Sequence, residues 1–213
     1  MSTTINLFPV PISIFESPEL PVDTMDFIKN KLEYMPWHSK ENHYLDISKS
    51  FQVLTDCQEL AQLKANTINI ANTYWRDILC VDLSLSISIK HSWITRHKPG
   101  QYNRPHIHNN CVFVLTTYLD TYENCGNLIF KKNTHYLNLF PAMLDVEYHT
   151  TNLINCKDYS ITPKNNMTVC FPSHLEHEAE VNNSGQNRFC LTADFFIRGT
   201  TNRAGRGFDT YFN

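Results

Sequence analysis

The chain has 213 residues, of which 42% are hydrophobic and 18% charged, with a formal net charge of −3 at pH 7. This length and composition predict one domain with a sizeable core. The net charge gives no overall positive potential that would attract nucleic acid. No run approaches the roughly 18 apolar residues of a membrane-spanning helix.

The cysteines and the N-terminus indicate the compartment. The chain has 7 cysteines, scattered and without a CxxC pair, which predicts neither a disulfide framework nor a thiolate zinc site. The first 15 residues lack a charged segment followed by a long apolar one, so we expect a cytoplasmic protein. The Asn-x-Ser/Thr sequons at Asn166 and Asn182 are then chance matches.

Two helices are predicted in the first part of the chain. Apolar residues recur at helical spacing over 22–35, with Asp23 or Thr24 as N-cap, and Pro36 ends this helix. A second helix is predicted over about 56–78. Its expected buried face is Leu60, Leu63, Ile68, Ala71, Trp75 and Ile78. Aromatic residues on or beside the two helices are expected in the core: Tyr34, Trp37, Tyr74 and Trp75.

After Leu79 the hydrophobic period changes to two, which predicts a strand over 81–93 with one buried face. Short strand candidates follow, bounded by Asn, Gly, Pro or Lys: "SWIT", "CVFVLTTYL", "GNLIF", "LDVEY", "DYSITP", "MTVCF" and "RFCLTADFFI". Helices followed by about eight strands favour a mainly β (α+β) fold, an antiparallel sandwich or jelly roll (double-stranded β-helix) with the N-terminal helices on one outer face.

The predicted organisation is one domain, 1–213. Residues 1–79 form an N-terminal strand and supporting helices, 80–198 the jelly-roll core and 199–213 a C-terminal tail. The basic segment from Arg198 to Gly207 is typical of a mobile tail.

The stretch "GQYNRPHIHNN" suggests a metal site. Residues two apart on a strand share a face, so His106 and His108 can present two imidazoles to one ion. Downstream, "CFPSHLEHEAEV" offers His174 and His177 as a remote third ligand. Two neighbouring histidines and one remote ligand, with open positions left over, are typical of non-haem iron(II) oxygenases. The alternative is that His106 and His108 are ordinary loop histidines.

Arg188 is the second candidate. In "RFCLTADFF" the residues at 188, 190, 192 and 194 alternate with large apolar ones, so Arg188 is expected on the face opposite a hydrophobic row. If that face lines the roll, the guanidinium needs an anionic partner, and a ligand carboxylate would serve. If the face is solvated, Arg188 is an ordinary surface arginine.

Together, "KPGQYNRPHIHNN", "VLTTYL", "GNLIF", "CFPSHLEHEAEV" and "RFCLTADFF" resemble, in order and spacing, the motifs of the 2-oxoglutarate/iron(II)-dependent dioxygenase superfamily. The resemblance covers about residues 80–198. It is greatest to a branch common in bacteriophages and marine bacteria, distantly similar to prolyl hydroxylases.

The resemblance implies a ligand set. It assigns Fe(II) to His106, His108 and His177, since "FPSxxxH" matches the family at His177 and leaves His174 as a neighbour. It also implies an activity in which 2-oxoglutarate and O2 are consumed, succinate and CO2 are released, and a further substrate is hydroxylated.

The resemblance also implies a site for the co-substrate. It assigns the distal carboxylate of 2-oxoglutarate to Arg188, with Tyr118 as a hydrogen-bonding partner and Thr192 as a weaker candidate. All three residues fall in the predicted β portion of the chain.

One position departs from the family. The superfamily usually has Asp or Glu two residues after the first histidine, and this chain has His108. Three neutral imidazoles leave the metal site one unit more positive. Whether His108 is a ligand stays open at this stage.

Two other functions fit parts of the sequence. Gly100, His106 and His108 match the G(X)5HXH opening of a cupin, a three-histidine metal enzyme without 2-oxoglutarate, but Cys111 and Val112 stand where that pattern has glutamate. The second alternative is a non-enzymatic jelly-roll binding or virion module with incidental histidines.

The substrate is not determined by fold or metal site, because both are shared across enzymes with different substrates. A peptidyl residue or a small molecule is favoured over nucleic acid, because the charge is weakly acidic. His91, Trp93 and Arg96 continue the early strand toward the proposed site and are candidate substrate contacts, with core packing as the alternative for Trp93. The segment 131–144 is a candidate lid or dimer contact, and similarity to prolyl hydroxylases leaves a homodimer open.

Overall fold

The structure is a computed structural model that describes residues 3, 9–39, 42–132, 147–201 and 210–212. Among these residues the strands are β1 (Ser13–Glu16), β2 (Tyr34–Ser39), β3 (Asn42–Ser48), β4 (Ser86–His97), β5 (Asn103–His106), β6 (Phe113–Asp120), β7 (Leu128–Lys131), β8 (Asp158–Ile161), β9 (Met167–Pro172), β10 (His177–Ala179), β11 (Arg188–Thr201) and β12 (Thr210–Phe212). The helices are α1 (Val22–Asp26), α2 (Val53–Asp56) and α3 (Ala61–Thr73). A 3-10 turn (Gln58–Leu60) precedes α3, and π-helical turns (Phe27–Lys31, Tyr74–Ile78) extend α1 and α3. No helix in the described part of the chain is long and apolar enough to cross a membrane.

Two antiparallel sheets form the jelly roll. The larger has the order β1-β9-β6-β11-β4-β3-β2, with β12 paired to the end of β11, and the smaller has the order β5-β10-β7-β8. The predicted class, mainly β with helices on one outer face, is confirmed. Within the described residues every element after Ile78 is a strand, as expected.

The core has two layers because the large sheet is covered on both faces. One layer lies between this sheet and the helices and includes Leu63, Tyr74, Phe113 and Leu191. The other lies between the two sheets and includes Val114, Tyr118, Phe171 and Cys190. The central strand β6 is therefore apolar on both faces, as expected of a doubly buried strand.

A bulge in β4 changes which residues point into the roll. The pairing with β11 shifts between Asp194, opposite His91, and Phe195, opposite Ile89, so Lys90 is an extra residue. Ile87 and Ile89 pack toward the helices, as does Ile94 beyond the bulge. The bulge thus turns His91 and the odd-numbered residues after it toward the inter-sheet space.

The first predicted helix is shorter than expected. It ends with the π turn at Lys31, and Met35 pairs with Ile47 in the β2–β3 hairpin. Pro36 lies in β2, an edge strand, which is where proline is tolerated in a sheet. The alternation of 34–39 was masked by an apolar spacing that also fits a helix.

The second predicted helix is interrupted, and two of its expected core residues are exposed. The buried stripe passes through Leu63, Thr67 and Ala71, so Ile68 lies one position off it and is 38% exposed. The π turn at Tyr74–Ile78 shifts the stripe again, and Ile78 is 46% exposed.

Two further boundaries differ from the prediction. Strand β4 begins at Ser86 rather than near 81, because the Asp82 carboxylate accepts hydrogen bonds from Ser84 in a local turn. The C-terminal segment is not simply a tail, since β11 extends to Thr201 and pairs with β12. The candidate lid 131–144 lies outside the described residues from position 133 onward, as do 144–146 of the candidate strand "LDVEY".

Candidate active site

Two of the predicted metal histidines face each other across the small sheet. His106 ends β5, His177 begins β10, and the two are direct antiparallel partners with ring centroids 4.4 Å apart. Directly opposed residues project from the same face of a sheet. Pro105 is tolerated beside His106 because β5 is an edge strand.

His108 completes the cluster from outside the strand. Strand β5 ends at His106, so the prediction that His106 and His108 share a strand is wrong. The His108 backbone N–H donates to the Ser173 carbonyl at 3.0 Å, and its ring centroid lies 5.2 Å from those of both His106 and His177. One potential ligand atom from each of the three lies within 4.8 Å of the others, which a single ion can bridge with small side-chain movements.

Each of the three rings is held through Nδ1. His106 Nδ1 lies 2.7 Å from the Arg104 carbonyl, His177 Nδ1 2.9 Å from the Leu175 carbonyl, and His108 Nδ1 2.8 Å from Asp194 Oδ1. A carbonyl or carboxylate partner requires Nδ1–H to donate, which leaves the Nε2 lone pair for a metal. Three imidazoles oriented in this way fit Fe(II) among other divalent ions.

The environment keeps two of the rings neutral. Burial, reinforced by the neighbouring His106, lowers the pKa of His177 to about 3. Burial also lowers the pKa of His106. Neutral imidazole is the form that binds metal, so these two candidate ligands need not lose a proton at pH 7.

Asp194 is a candidate functional residue whose strand face the sequence predicted correctly but to which it gave no role. It lies on β11 with 5% of its surface exposed, bonds His108 through Oδ1, and has Oδ2 3.7 Å from His91 Nδ1. The negative charge that the family usually carries on the second ligand therefore sits directly behind His108. Asp194 follows Arg188 by six residues on the same strand face, and this spacing was the sequence signal that could have identified it.

We expect Asp194→Asn to lower metal affinity about 10- to 100-fold, because the amide keeps the shape but removes the charge that orients and strengthens His108 as a ligand. Competition with a chromophoric chelator measures the change. Asp158→Asn, which removes an exposed carboxylate on β8, is the matched control. Equal affinities in the two variants would contradict this role.

A cleft of about 790 Å³ opens on His106 and His108. Its aromatic wall consists of Trp37, Phe51 and Trp93, with ring centroids 5.9 and 6.0 Å apart in succession. Trp93 stacks on the His108 ring at 5.7 Å and 14°. The wall thus leads from the surface to a proposed metal ligand.

Two expectations for residues near the cleft need correction. Trp37 is not core: it is 46% exposed and lines the cleft. His91 and Trp93 line it as predicted, but Arg96 does not, since Nε and Nη2 donate to Asp46 at 2.9 and 2.6 Å. Arg96 projects from the opposite face of β4 to His91 and Trp93.

Arg188 lies inside the roll, as the alternation predicted, and is only 1% exposed. Its Nη1 donates to the Cys125 and Gly126 carbonyls, both at 2.8 Å. Gly126 holds its carbonyl there at φ +86°, and a Cβ would lie 2.4 Å from the Glu180 carbonyl oxygen, so only glycine fits. No carboxylate of the described residues pairs with this charge, and Arg188 Nε has no partner among them.

The other two co-substrate candidates share this interior face. Tyr118 on β6 is opposite Cys190, and Thr192 on β11 is opposite Trp93 on β4. Tyr118 is 3% exposed and Thr192 8%. Burial raises the pKa of Tyr118, so the phenol stays protonated and can donate. An interior lined by an uncompensated arginine and hydroxyl groups fits a small dianion such as 2-oxoglutarate.

His174 does not contribute to the cluster. It is exposed in the turn before β10, and the metal-binding group found among the described residues does not include it. The choice of His177 over His174 as the ligand stays a prediction, as does a role for His174 as its neighbour.

The fold and this site define a jelly-roll metal enzyme, and similar solved structures agree on the fold. They include a prolyl 4-hydroxylase from Pseudomonas putida (15% identity, covering 88% of this chain and 93% of that chain, TM-score 0.56). HygX from Streptomyces hygroscopicus, solved with nickel and 2-oxoglutarate, is 9% identical, and the match covers 88% of this chain and 83% of HygX with a TM-score of 0.59. The α-ketoglutarate-dependent epimerase SnoN from nogalamycin biosynthesis is 11% identical over 91% and 82%, with TM-score 0.59.

Residues 91–194 match the family model described as "Putative 2OG-Fe(II) oxygenase". The match covers just under half of the chain, and the protein is a 2-oxoglutarate- and Fe(II)-dependent oxygenase. The match decides against the cupin and the non-enzymatic module. No curated protein sequence is significantly similar to the chain.

Proposed function

We propose that the protein hydroxylates a substrate bound in the aromatic-walled cleft, with Fe(II) held by His106, His108 and His177. The observation that carries this proposal is the convergence of three oriented imidazoles, two of which, His106 and His108, line that cleft. When bound, the metal and 2-oxoglutarate activate oxygen, with release of succinate and CO2. The protein's own residues bind, orient and shield the reactants.

Arg188 binds the distal carboxylate of 2-oxoglutarate in this proposal. Its buried charge lacks a counterion among the described residues, and a ligand carboxylate supplies one. Tyr118 donates a hydrogen bond to the same molecule, and the Thr192 hydroxyl lies on the same interior face. The Cys125 and Gly126 carbonyls hold the guanidinium in place before the ligand arrives.

The cleft favours a peptidyl residue or a small molecule as substrate. Its aromatic wall suits a ring or an apolar side chain, and apolar surface dominates its lining. Arg104 lies at its edge but is hydrogen-bonded to the Tyr44 hydroxyl and positioned over that ring. A lining of this kind lacks the basic groove that tracks a nucleic-acid backbone.

The cellular setting rests on the sequence. All 7 cysteines are free, in keeping with a reducing cytoplasm. The motif resemblance points to a bacterial host, including one infected by a phage. Residues 1–213 act as one catalytic unit in this proposal, and the homodimer stays a prediction.

Anaerobic titration of 2-oxoglutarate into Fe(II)-loaded protein tests the proposal. We expect the visible charge-transfer band of the metal chelate and, after oxygen is admitted, succinate formation. A folded, iron-loaded protein without either signal would overturn the proposed site. Once the band is found, peptide and small-molecule pools are screened for a product heavier by one oxygen atom.

His108→Ala is expected to lower metal affinity by more than about 10-fold, because it removes one of the three proposed ligands, the one that is hydrogen-bonded to Asp194 Oδ1. The exposed neighbour Asn109 provides the matched control, Asn109→Ala. Chelator competition on both variants shows whether His108 binds the metal. Unchanged affinity in His108→Ala would restrict the ligand set to His106 and His177.

A further inference from the structure

A second buried histidine lies beside Arg188 and takes no part in the metal cluster. His97 is directly opposite Arg188 in the β4–β11 register, and the residue is only 3% exposed. Opposed residues project to the same face, so both side chains enter the space between the sheets. The bulge at Lys90 produces this alignment, because it sets the direction of the odd-numbered residues after it.

This pair contains unpaired buried nitrogens. Within the described residues, His97 Nδ1, His97 Nε2 and Arg188 Nε have no hydrogen-bond partner. Buried polar groups are nearly always paired, and a local concentration of unpaired ones indicates a binding place. Arg188 Nε and one ring nitrogen are donors, so the missing partner is an acceptor.

We propose that His97 binds the distal carboxylate of 2-oxoglutarate together with Arg188. The inference rests on the proposed function, in which Arg188 binds that carboxylate. Neither the motif pattern nor the resemblance assigns His97 a role. The two oxygens of a carboxylate can accept from Arg188 and from the His97 ring N–H at once.

The surroundings suit a neutral donor. Burial, with Arg188 as a second cause, holds the pKa of His97 well below its usual range. The ring is therefore neutral at pH 7 and adds a hydrogen bond without placing a second positive charge beside Arg188. The Asn182 side chain donates to the His97 carbonyl at 2.8 Å, which fixes the end of β4 and leaves the ring free for a ligand.

The test compares two ligands on wild-type and His97→Leu protein, both loaded with Ni(II). Calorimetry measures binding of 2-oxoglutarate and of 2-oxovalerate, which has a methyl group in place of the distal carboxylate. We expect His97→Leu to weaken 2-oxoglutarate binding about 10- to 100-fold, as for a lost hydrogen bond to a charged group, and to leave 2-oxovalerate binding unchanged.

Metal-free stability provides a readout independent of ligand binding. Leucine removes two unpaired buried nitrogens, so the melting temperature of metal-free His97→Leu should not fall below that of the wild type. His97→Gln keeps an N–H donor and should retain more 2-oxoglutarate affinity than the leucine variant. It also serves as the test if leucine prevents folding.

Equal 2-oxoglutarate affinity in wild type and His97→Leu would overturn the role of His97. So would an equal loss for both ligands, because the effect would then come from the fold rather than from the carboxylate. Failure of the Ni(II)-loaded wild type itself to bind 2-oxoglutarate would overturn the proposed function, and this inference with it.

Discussion

Arg188→Met is expected to lower the affinity for 2-oxoglutarate by at least about 100-fold while leaving metal affinity unchanged. Methionine keeps an unbranched apolar side chain in the interior but removes the charge. Breaking a buried ion pair from one side costs about 3–5 kcal/mol, and about 1.4 kcal/mol corresponds to a factor of 10. Calorimetry on Ni(II)-loaded protein, or the charge-transfer band in the Fe(II) form, measures the loss.

The same strand supplies the control. Arg198 also lies on β11, but it is exposed. Arg198→Met therefore removes the same charge from the surface of the strand and not from the interior of the roll. Its 2-oxoglutarate affinity should match the wild type. If Arg188→Met binds the co-substrate as tightly as Arg198→Met does, the buried arginine has another function and the co-substrate is bound elsewhere.

The interior position of Arg188 was predictable because alternation along a strand is a local property. Once 188–195 is assigned as a strand with a large apolar row on one face, the other face follows. The same logic fails at Lys90, because a bulge depends on the partner strand and leaves no mark in a period-two pattern. The approach of His97 to Arg188 depends on that bulge and was therefore not visible.

The metal cluster was predictable in part for a similar reason. His106 and His108 are close in sequence, and a motif match selected His177. The Asp194 contact joins positions 86 residues apart and requires the pairing of the roll to be known. The cleft wall depends on Trp37 in β2, whose segment has an apolar spacing that fits a helix as well as a strand.

His177→Ala is expected to reduce metal affinity by more than about 100-fold, since even a change to a ligand's supporting partner costs about 10- to 100-fold. His177 is the most buried of the three histidines, and its ring centroid lies 4.7 Å from that of Phe171. Loss of its imidazole removes one of the three proposed ligands. Chelator competition and metal content after dialysis measure the effect.

The motif itself contains the control, because His174 lies three residues earlier and is exposed. His174→Ala should keep full metal affinity and the charge-transfer band with 2-oxoglutarate, whereas His177→Ala loses both. The two variants delete the same side chain from the same short segment, so a difference between them reflects ligation and not the loss of a histidine. The reverse result would assign the ligand to His174 and require the turn before β10 to rearrange when metal binds.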